Sequence, residues 1–109
     1  MTRATALYMN SEGARFDDAY YRSVHLPLTD RLMRSLGLLW VEGDRPMPRP
    51  DGRPSTLLAQ THAYFATEEQ ARAAVAATIG QLAADVPNYT NVMPRLEVHE
   101  VFKINPGER

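Results

Sequence analysis

The spacing of apolar residues changes along the first half of the chain from strand-like to helical. Residues 4–10 form a short apolar run that closes at the turn Asn10-Ser11-Glu12-Gly13, which predicts a buried first strand. From about Arg15 the apolar positions follow a helical period. They recur every four residues at Phe16, Tyr20, Val24, Leu28, Leu32 and Leu36. Gly37 predicts the end of this helix, and the apolar residues 38–43 predict a second strand.

Residues 44–55 differ in composition from everything around them. They carry four prolines and three interleaved arginines, with a turn signal at Asp51-Gly52, and this composition predicts a loop. One interpretation is a solvated connection between two strands. The other is a flap over a site or a contact in a dimer, since long ordered loops are often functional.

The remaining segments predict two strands and one more helix. Residues 56–65 are β-prone through most of their length, which predicts a third strand. A capping box over residues 67–70 then opens an alanine-rich helix that runs to about Asp85. Residues 95–104 alternate in character and predict a fourth strand, followed by a tail at residues 105–107.

This order of elements, βαββαβ, is typical of ferredoxin-like α+β domains. In that fold two helices cover one face of a four-stranded antiparallel sheet, and the first and third strands are central. The other face of the sheet has no third layer in a chain this small, so it needs a cover if it is apolar. We therefore expect a homodimer in which two sheets face each other, a dimeric α+β barrel that encloses a cavity.

Composition and charge narrow the functional classes. A length of 109 residues predicts a single domain over residues 1–109. Twelve basic and 13 acidic side chains give a net charge of -1, which argues against nucleic acid or an anionic membrane as a partner. The sequence has no cysteine, so thiol catalysis and thiolate metal sites are excluded. We expect a soluble protein of the cytoplasm.

The densest group of ionisable side chains lies on the predicted first helix. His25 shares a helix sector with Tyr21, one turn earlier, and with Asp18, two turns earlier. An imidazole beside apolar residues is a candidate general acid or base, and the phenol of Tyr21 can orient it or relay a proton. The alternative is structural: His25 satisfies a carbonyl freed by Pro27, which we expect to kink the helix, and Tyr21 belongs to the core. Asp18 is also favoured by the helix dipole alone.

The third strand supplies a second group of candidates. Gln60, His62 and Tyr64 share one face of that strand, whereas its other face is small and apolar. We expect the polar face to line the cavity and bind substrate, because burying it against the helices would leave His62 and Gln60 without partners. Trp40 on the second strand can stack on an aromatic ligand or simply pack in the protein.

Neither a metal site nor a cofactor is predicted. A site built from His25, His62 and His99 matches no local metal motif, and the third and fourth strands are not neighbours in this topology. The sequence also lacks a glycine-rich phosphate loop, a nucleophile elbow and a zinc-peptidase motif. The chemistry that remains available to these side chains is proton transfer and substrate positioning. Both suit dehydration, isomerisation, cyclisation or decarboxylation of a reactive substrate.

Two segments together resemble the EthD family of dimeric α+β barrel proteins. They are Tyr20-Tyr21-x-x-x-His25-x-Pro27-Leu28 and, after a strand ending in Tyr64-Phe65, the alanine-rich helix that leads into Ala84-Asp85-Val86-Pro87-Asn88-Tyr89. The resemblance covers nearly the whole chain. It implies a ferredoxin-like monomer, a homodimeric barrel, and a pocket between the sheet and the first helix to which His25 belongs.

Three functional hypotheses follow from these observations. The first is a cofactor-independent enzyme that acts on a small hydrophobic molecule, phenolic or polyketide-like, in secondary metabolism or aromatic degradation. In it His25 and Tyr21 are catalytic, and Gln60, His62 and Tyr64, with Asp18 and Trp40, bind the substrate. The second is a non-catalytic binding or accessory protein with the same cavity. The third is a cofactor-free monooxygenase acting on a quinol or anthrone. A shared fold does not choose among them.

Overall fold

The structure, a computed structural model, describes residues 1–105. It contains four strands: β1 (Thr2–Met9), β2 (Leu38–Asp44), β3 (Leu57–Phe65) and β4 (Arg95–Glu100). The strands form one antiparallel sheet in the order β2-β3-β1-β4, so β1 and β3 are central, as the sequence predicts. Two helical segments connect β1 to β2 and β3 to β4. The α+β fold class and the split βαββαβ order are confirmed.

The first helical segment, here the first helix, occupies residues 18–36. Asp17 caps its start, because the Asp17 carboxylate accepts a hydrogen bond from the Tyr20 amide at 3.1 Å. The predicted start at Arg15 is wrong by three residues, since Phe16 forms a β-bridge with Thr90 instead. Gly37 ends the segment with a φ of 95°, a left-handed conformation that glycine adopts without strain.

The first helix is locally loosened just before Pro27, as predicted. Residues Tyr21–His25 form a π-helical turn, closed by a hydrogen bond from the Leu26 amide to the Tyr21 carbonyl. Pro27 has no amide to close the next α-helical turn. A regular α-helix, Leu26–Met33, then continues from this point. Because a π turn inserts one residue into a helix, it changes the direction in which the preceding side chains point.

The second helix, Glu68–Asp85, starts at the predicted cap. Thr67 lies in an extended conformation and its hydroxyl accepts a hydrogen bond from the Gln70 amide at 3.2 Å. A 3-10 turn, Val86–Asn88, follows the helix directly. β4 is shorter than predicted. Among residues 1–105 it pairs with β1 alone, and after the bond from the Val101 amide to the Met1 carbonyl β1 offers it no further partner. Of the predicted tail, Pro106 and Gly107 lie outside the described residues.

The core lies between the helices and one face of the sheet. It has two parts, one rich in aromatic rings and one built on small side chains. The aromatic part comprises Tyr8, Tyr21, Ala59, Val86 and Tyr89. The other part comprises Met33, Ala63, Phe65, Ala71 and Ala74. The opposite face of the sheet, here the open face, is not covered by any helix within residues 1–105, and no helix in that part of the chain is long and apolar enough to cross a membrane.

Candidate active site

His25 lies on the buried side of the first helix, where it meets the end of the second helix. Its side chain is only 4% exposed, and its Nδ1 lies 2.9 Å from Oδ2 of Asp85. These two residues are 60 positions apart in the chain. Asp85 is the last residue of the second helix, so packing of the two helices against the same sheet face creates the pair.

Three donors hold the Asp85 carboxylate. Besides His25, the Tyr20 hydroxyl donates to Oδ1 at 2.7 Å, and the Asn88 side-chain amide donates to the same oxygen at 3.0 Å. Burial alone raises the pKa of Asp85, but the hydrogen bonds from Asn88, Tyr20 and His25 outweigh that effect and hold the pKa below its ordinary value. The carboxylate is therefore ionised near neutral pH and accepts the hydrogen carried by Nδ1 of His25.

The pKa of His25 is lowered. Burial of the imidazole disfavours the cationic form, and the hydrogen bond and negative charge of Asp85 only partly offset this effect. The neutral ring with hydrogen on Nδ1 has a lone pair on Nε2, which has no hydrogen-bonding partner within residues 1–105. This is the protonation state of a general base whose second nitrogen is oriented by a carboxylate.

A cavity of about 310 Å³ lies next to this pair, between the two helices and the sheet. Its wall is formed mainly by apolar residues of the two helices and of strands β1, β3 and β4. His25 contributes to it, as do Tyr8 and Thr61 from the central strands. The apolar part of the wall includes Met33, Val75, Ile79, Leu82, Val86 and Leu96. A cavity of this size and polarity suits a small hydrophobic ligand.

Tyr21 is buried beside the site but does not line this cavity. Its ring lies 6.1 Å from the ring of His25, and its hydroxyl donates to the Gln60 carbonyl at 2.8 Å and contacts Oγ1 of Thr61 at 2.6 Å. On its outer side it borders an open groove together with Arg45 and Met47 of the proline-rich loop. Burial strongly raises the pKa of Tyr21, so the phenol stays protonated.

Gln60, His62 and Tyr64 occupy the open face, on the side of the sheet away from the helices. Ala59, Thr61, Ala63 and Phe65 of the same strand face the helices, which is the orientation that the sequence predicts. The sheet therefore separates His62 from His25. The structure does not bring the two groups of predicted site residues together into one pocket.

Polar contacts join these open-face residues to β1 and β2. His62 bonds through Nε2 to Asp44 at 2.7 Å and through Nδ1 to the Thr5 hydroxyl at 3.0 Å. Gln60 donates to the same Asp44 at 3.1 Å. The Tyr64 hydroxyl donates to Glu42 at 2.8 Å. These contacts form two polar groups on the open face, one around Asp44 and one between Tyr64 and Glu42.

The other predicted site residues lie outside the cavity. Trp40, on edge strand β2, stacks on the Tyr64 ring with centroids 4.3 Å apart. Asp18 pairs with Arg22 one turn along the helix and lies 3.5 Å from Arg45 of the loop. His99 bonds to Glu97 at 2.8 Å on β4, and residues 1–105 contain no cluster of three or more side chains suited to a metal ion.

Asp85 was not predicted as a site residue, although it lies in one of the two segments that resemble the EthD family. One signal was available: a carboxylate at the C-terminus of a helix is disfavoured by the helix dipole, so it needs a partner there. Tyr8 and Thr61 were missed as well, because both belong to segments that were assigned to the core. A local pattern shows that such residues are buried but not that a cavity lies beside them.

The sequence has no significant match among protein family descriptions or among curated proteins. Solved structures do match. An EthD-like protein from Ralstonia eutropha JMP134 superposes with a TM-score of 0.85 at 24% identity, over 98% of this chain and 96% of that one. An ethyl tert-butyl ether D (EthD) family protein from Bacillus halodurans C-125 superposes with a TM-score of 0.70 at 23% identity, over 94% and 99%. The chain has the fold of the EthD-like proteins, as its sequence motifs imply.

Proposed function

We propose that this protein is a cofactor-independent enzyme of the cytoplasm that uses His25 as a general acid and base. Its substrate is a small hydrophobic molecule, phenolic or polyketide-like, of secondary metabolism or aromatic degradation. The reaction is a cyclisation, dehydration, isomerisation or decarboxylation. The observation that carries the proposal is the contact of 2.9 Å between the buried imidazole of His25 and the carboxylate of Asp85 at the wall of an apolar cavity.

Asp85 supports this role in two ways. It fixes the hydrogen of the neutral imidazole on Nδ1, so that Nε2 is free to accept a proton from the substrate. It also places a negative charge beside the imidazolium that forms after the transfer, and so stabilises that cation in a buried site. When His25 returns the proton to another atom of the substrate, the same group serves as the acid. Asp85 is thus a positioning residue, because it acts through His25.

Tyr21 has a different role in this proposal from the one expected at the outset. Its hydroxyl hydrogen is donated to the Gln60 carbonyl, and its ring packs beside His25 without lining the cavity. We therefore assign Tyr21 to positioning His25 and Thr61. A substrate-binding role for Gln60, His62 and Tyr64 requires a ligand on the open face and is not included in the mechanism.

We also propose that two copies associate through their open faces. The open face carries polar side chains, so apolar area does not support this dimer. Its support is that both helices pack on the other face of the sheet, and that Trp40 remains 41% exposed on edge strand β2. Light scattering after size exclusion will give a dimer mass for the native chain and a monomer for Trp40→Glu. A dimer that persists in this variant contradicts the open face as the interface.

The enzyme proposal is tested by screening small phenols and ketones for conversion by mass spectrometry, with and without oxygen. We expect the native protein to convert at least one compound, and His25→Ala to lose the conversion while it keeps its circular dichroism spectrum. Val24→Ala, which changes an exposed residue of the same turn, is the matched control and will retain the conversion. Retained conversion in His25→Ala contradicts the assignment of His25 as the general acid and base.

The same screen separates the two rival functions. A compound that binds in calorimetry but gives no product with any of the proteins favours a binding or accessory protein. A product that forms only in the presence of oxygen favours a cofactor-free monooxygenase, because oxygen is then a reactant. A product that forms equally without oxygen supports acid and base chemistry.

A further inference from the structure

Several polar side chains that border the cavity are already engaged elsewhere. The Thr29 hydroxyl donates to the His25 carbonyl at 3.0 Å, and the Thr78 hydroxyl donates to the Ala74 carbonyl at 2.8 Å. Each bond lies within one helix and uses the only hydrogen of its hydroxyl. Thr5 and Glu97, which also border the cavity, make their side-chain contacts with His62 and His99 on the open face. The hydroxyls of Thr29 and Thr78 therefore keep lone pairs but no hydrogen to offer a ligand. The groups whose hydrogens remain to be placed are Nε2 of His25 and the hydroxyls of Tyr8 and Thr61.

The hydrogen on Thr61 has a defined direction. The Gln60 carbonyl can only accept, so the single hydrogen of the Tyr21 hydroxyl is donated to it. The contact of 2.6 Å between Tyr21 and Thr61 then requires Thr61 to be the donor. Because this bond uses the hydrogen of Thr61, its Oγ1 can offer the cavity only a lone pair.

The two remaining phenols form a pair of their own. Tyr8 and Tyr89 share a hydrogen bond of 2.5 Å between their hydroxyls. Whichever hydroxyl donates, the oxygen of Tyr8 keeps a lone pair that it can offer to the cavity. The hydrogens of the other two hydroxyls run from Thr61 through Tyr21 to the Gln60 carbonyl.

The polar groups lie together at one end of the cavity. The Tyr89 ring lies 4.6 Å from the ring of His25 and 5.9 Å from that of Tyr8, so a single side chain packs against both. Nε2 of His25 is itself an acceptor when Nδ1 donates to Asp85. This end of the cavity therefore offers several acceptors to a ligand. A ligand group that bonds to these acceptors must bring its own hydrogen.

The other end of the cavity is apolar and reaches the surface. Ile79, Met93 and Leu96 border the cavity and are 39%, 64% and 49% exposed. Within residues 1–105, no arginine or lysine borders the cavity. A carboxylate in it would be buried without a counter-charge, at a large cost in desolvation. The exposed apolar rim suits the hydrophobic body of a ligand whose polar end lies deeper.

We propose that the cavity selects an uncharged hydrophobic molecule with a hydroxyl group at one end, and that this hydroxyl donates to the acceptors of His25, Tyr8 and Thr61. The proposal rests on the proposed function for the role of the cavity and specifies the substrate class: a phenol or enol rather than a ketone, an ether or a carboxylic acid. It assigns Tyr8 and Thr61 to substrate recognition. In the reaction, the hydroxyl hydrogen is the proton that Nε2 of His25 accepts.

The test is a binding experiment that needs no turnover. Four probes of one shape are compared by calorimetry and ligand-observed NMR: 4-propylphenol, 4-propylanisole, propylbenzene and 4-propylbenzoate. We expect the phenol to bind at least about tenfold more tightly than the ether and propylbenzene, which is the effect of one or two hydrogen bonds. The benzoate will show no binding. Thr61→Val keeps the side-chain shape and the Tyr21–Gln60 bond, and will reduce the preference for the phenol over the ether.

Each other outcome overturns the inference. Equal affinities for phenol and ether, binding of the benzoate, or no binding of the phenol up to its solubility limit are all incompatible with an acceptor-lined cavity. An unchanged preference in Thr61→Val removes that residue from recognition. These results are independent of the conversion assay. If the protein prefers the phenol yet converts no compound, this inference stands and the enzyme proposal is contradicted.

Discussion

Nδ1 of His25 lies 2.9 Å from Oδ2 of Asp85, although one residue belongs to the π turn of the first helix and the other ends the second helix. The pair joins the two helices at the polar end of the cavity. It sets the tautomer of the imidazole and the charge beside it, and both properties bear on the proposed chemistry.

Asp85→Asn is expected to lower turnover about 100-fold or more, since the positioning and charge that support a general base are worth that order. The pKa of His25 will fall further, because the carboxylate raises it in the native protein. The acidic limb of the pH–rate profile will therefore shift to lower pH. Asp30→Asn, which removes an exposed carboxylate paired with Arg34 on the first helix, is the control and will leave rate and profile unchanged. A merely structural role for Asp85 predicts no shift of the limb.

The free energy of unfolding is expected to fall as the pH drops below about 6.5. Burial lowers the pKa of His25 in the folded protein, so the unfolded chain binds a proton at a higher pH than the folded chain does. The stabilisation of the folded protein by neutral His25 is thus fully present above the ordinary pKa of histidine and is lost on acidification. Urea unfolding at about pH 7.5 and about pH 5.5 will show a smaller difference in His25→Gln than in the native chain. Equal differences in the two proteins contradict the lowered pKa.

Gly43→Ala is expected to destabilise the protein by about 1–3 kcal/mol. A Cβ at this position of β2 comes within 2.9 Å of Cδ1 of Leu26 and 3.0 Å of the Tyr21 hydroxyl, which is held by its hydrogen bonds. Gly80→Ala is the matched control: nothing lies within 4 Å of its Cβ, and alanine favours the helix interior, so stability rises by up to about 1 kcal/mol. Denaturation midpoints measure both effects, and a neutral Gly43→Ala excludes the close contact.

Ala83→Phe is expected to abolish binding of the hydrophobic probes without unfolding the protein. Ala83 is a partly buried residue of the second helix that borders the cavity, so a benzyl group there occupies space needed by a ligand. Ala76→Phe adds the same group to an exposed position of the same helix that does not border the cavity. Calorimetry with 4-propylphenol will show binding to the second variant alone. Undiminished binding to Ala83→Phe places the ligand elsewhere.

Much of the fold follows from local patterns in the sequence. Asp17, Thr67 and Gly37 act at helix ends through contacts with their immediate neighbours. The alternation along residues 57–65 decides which face of β3 packs against the helices. His25 was identified for the same reason, because helical spacing places it on the buried side. Helix caps, strand alternation and helical spacing all involve residues a few positions apart, so they can be recognised without knowing how the rest of the chain folds.

Only the tertiary structure decides which residues share a site. The sheet lies between His25 and His62, so two imidazoles that both qualified as site residues serve different faces. Asp85 joins His25 because two helices pack on one sheet face, a contact between residues 60 positions apart that no local spacing records. The sequence determined the elements and their buried sides through short-range periodicity. The partners of the site depend on long-range packing, which periodicity does not specify.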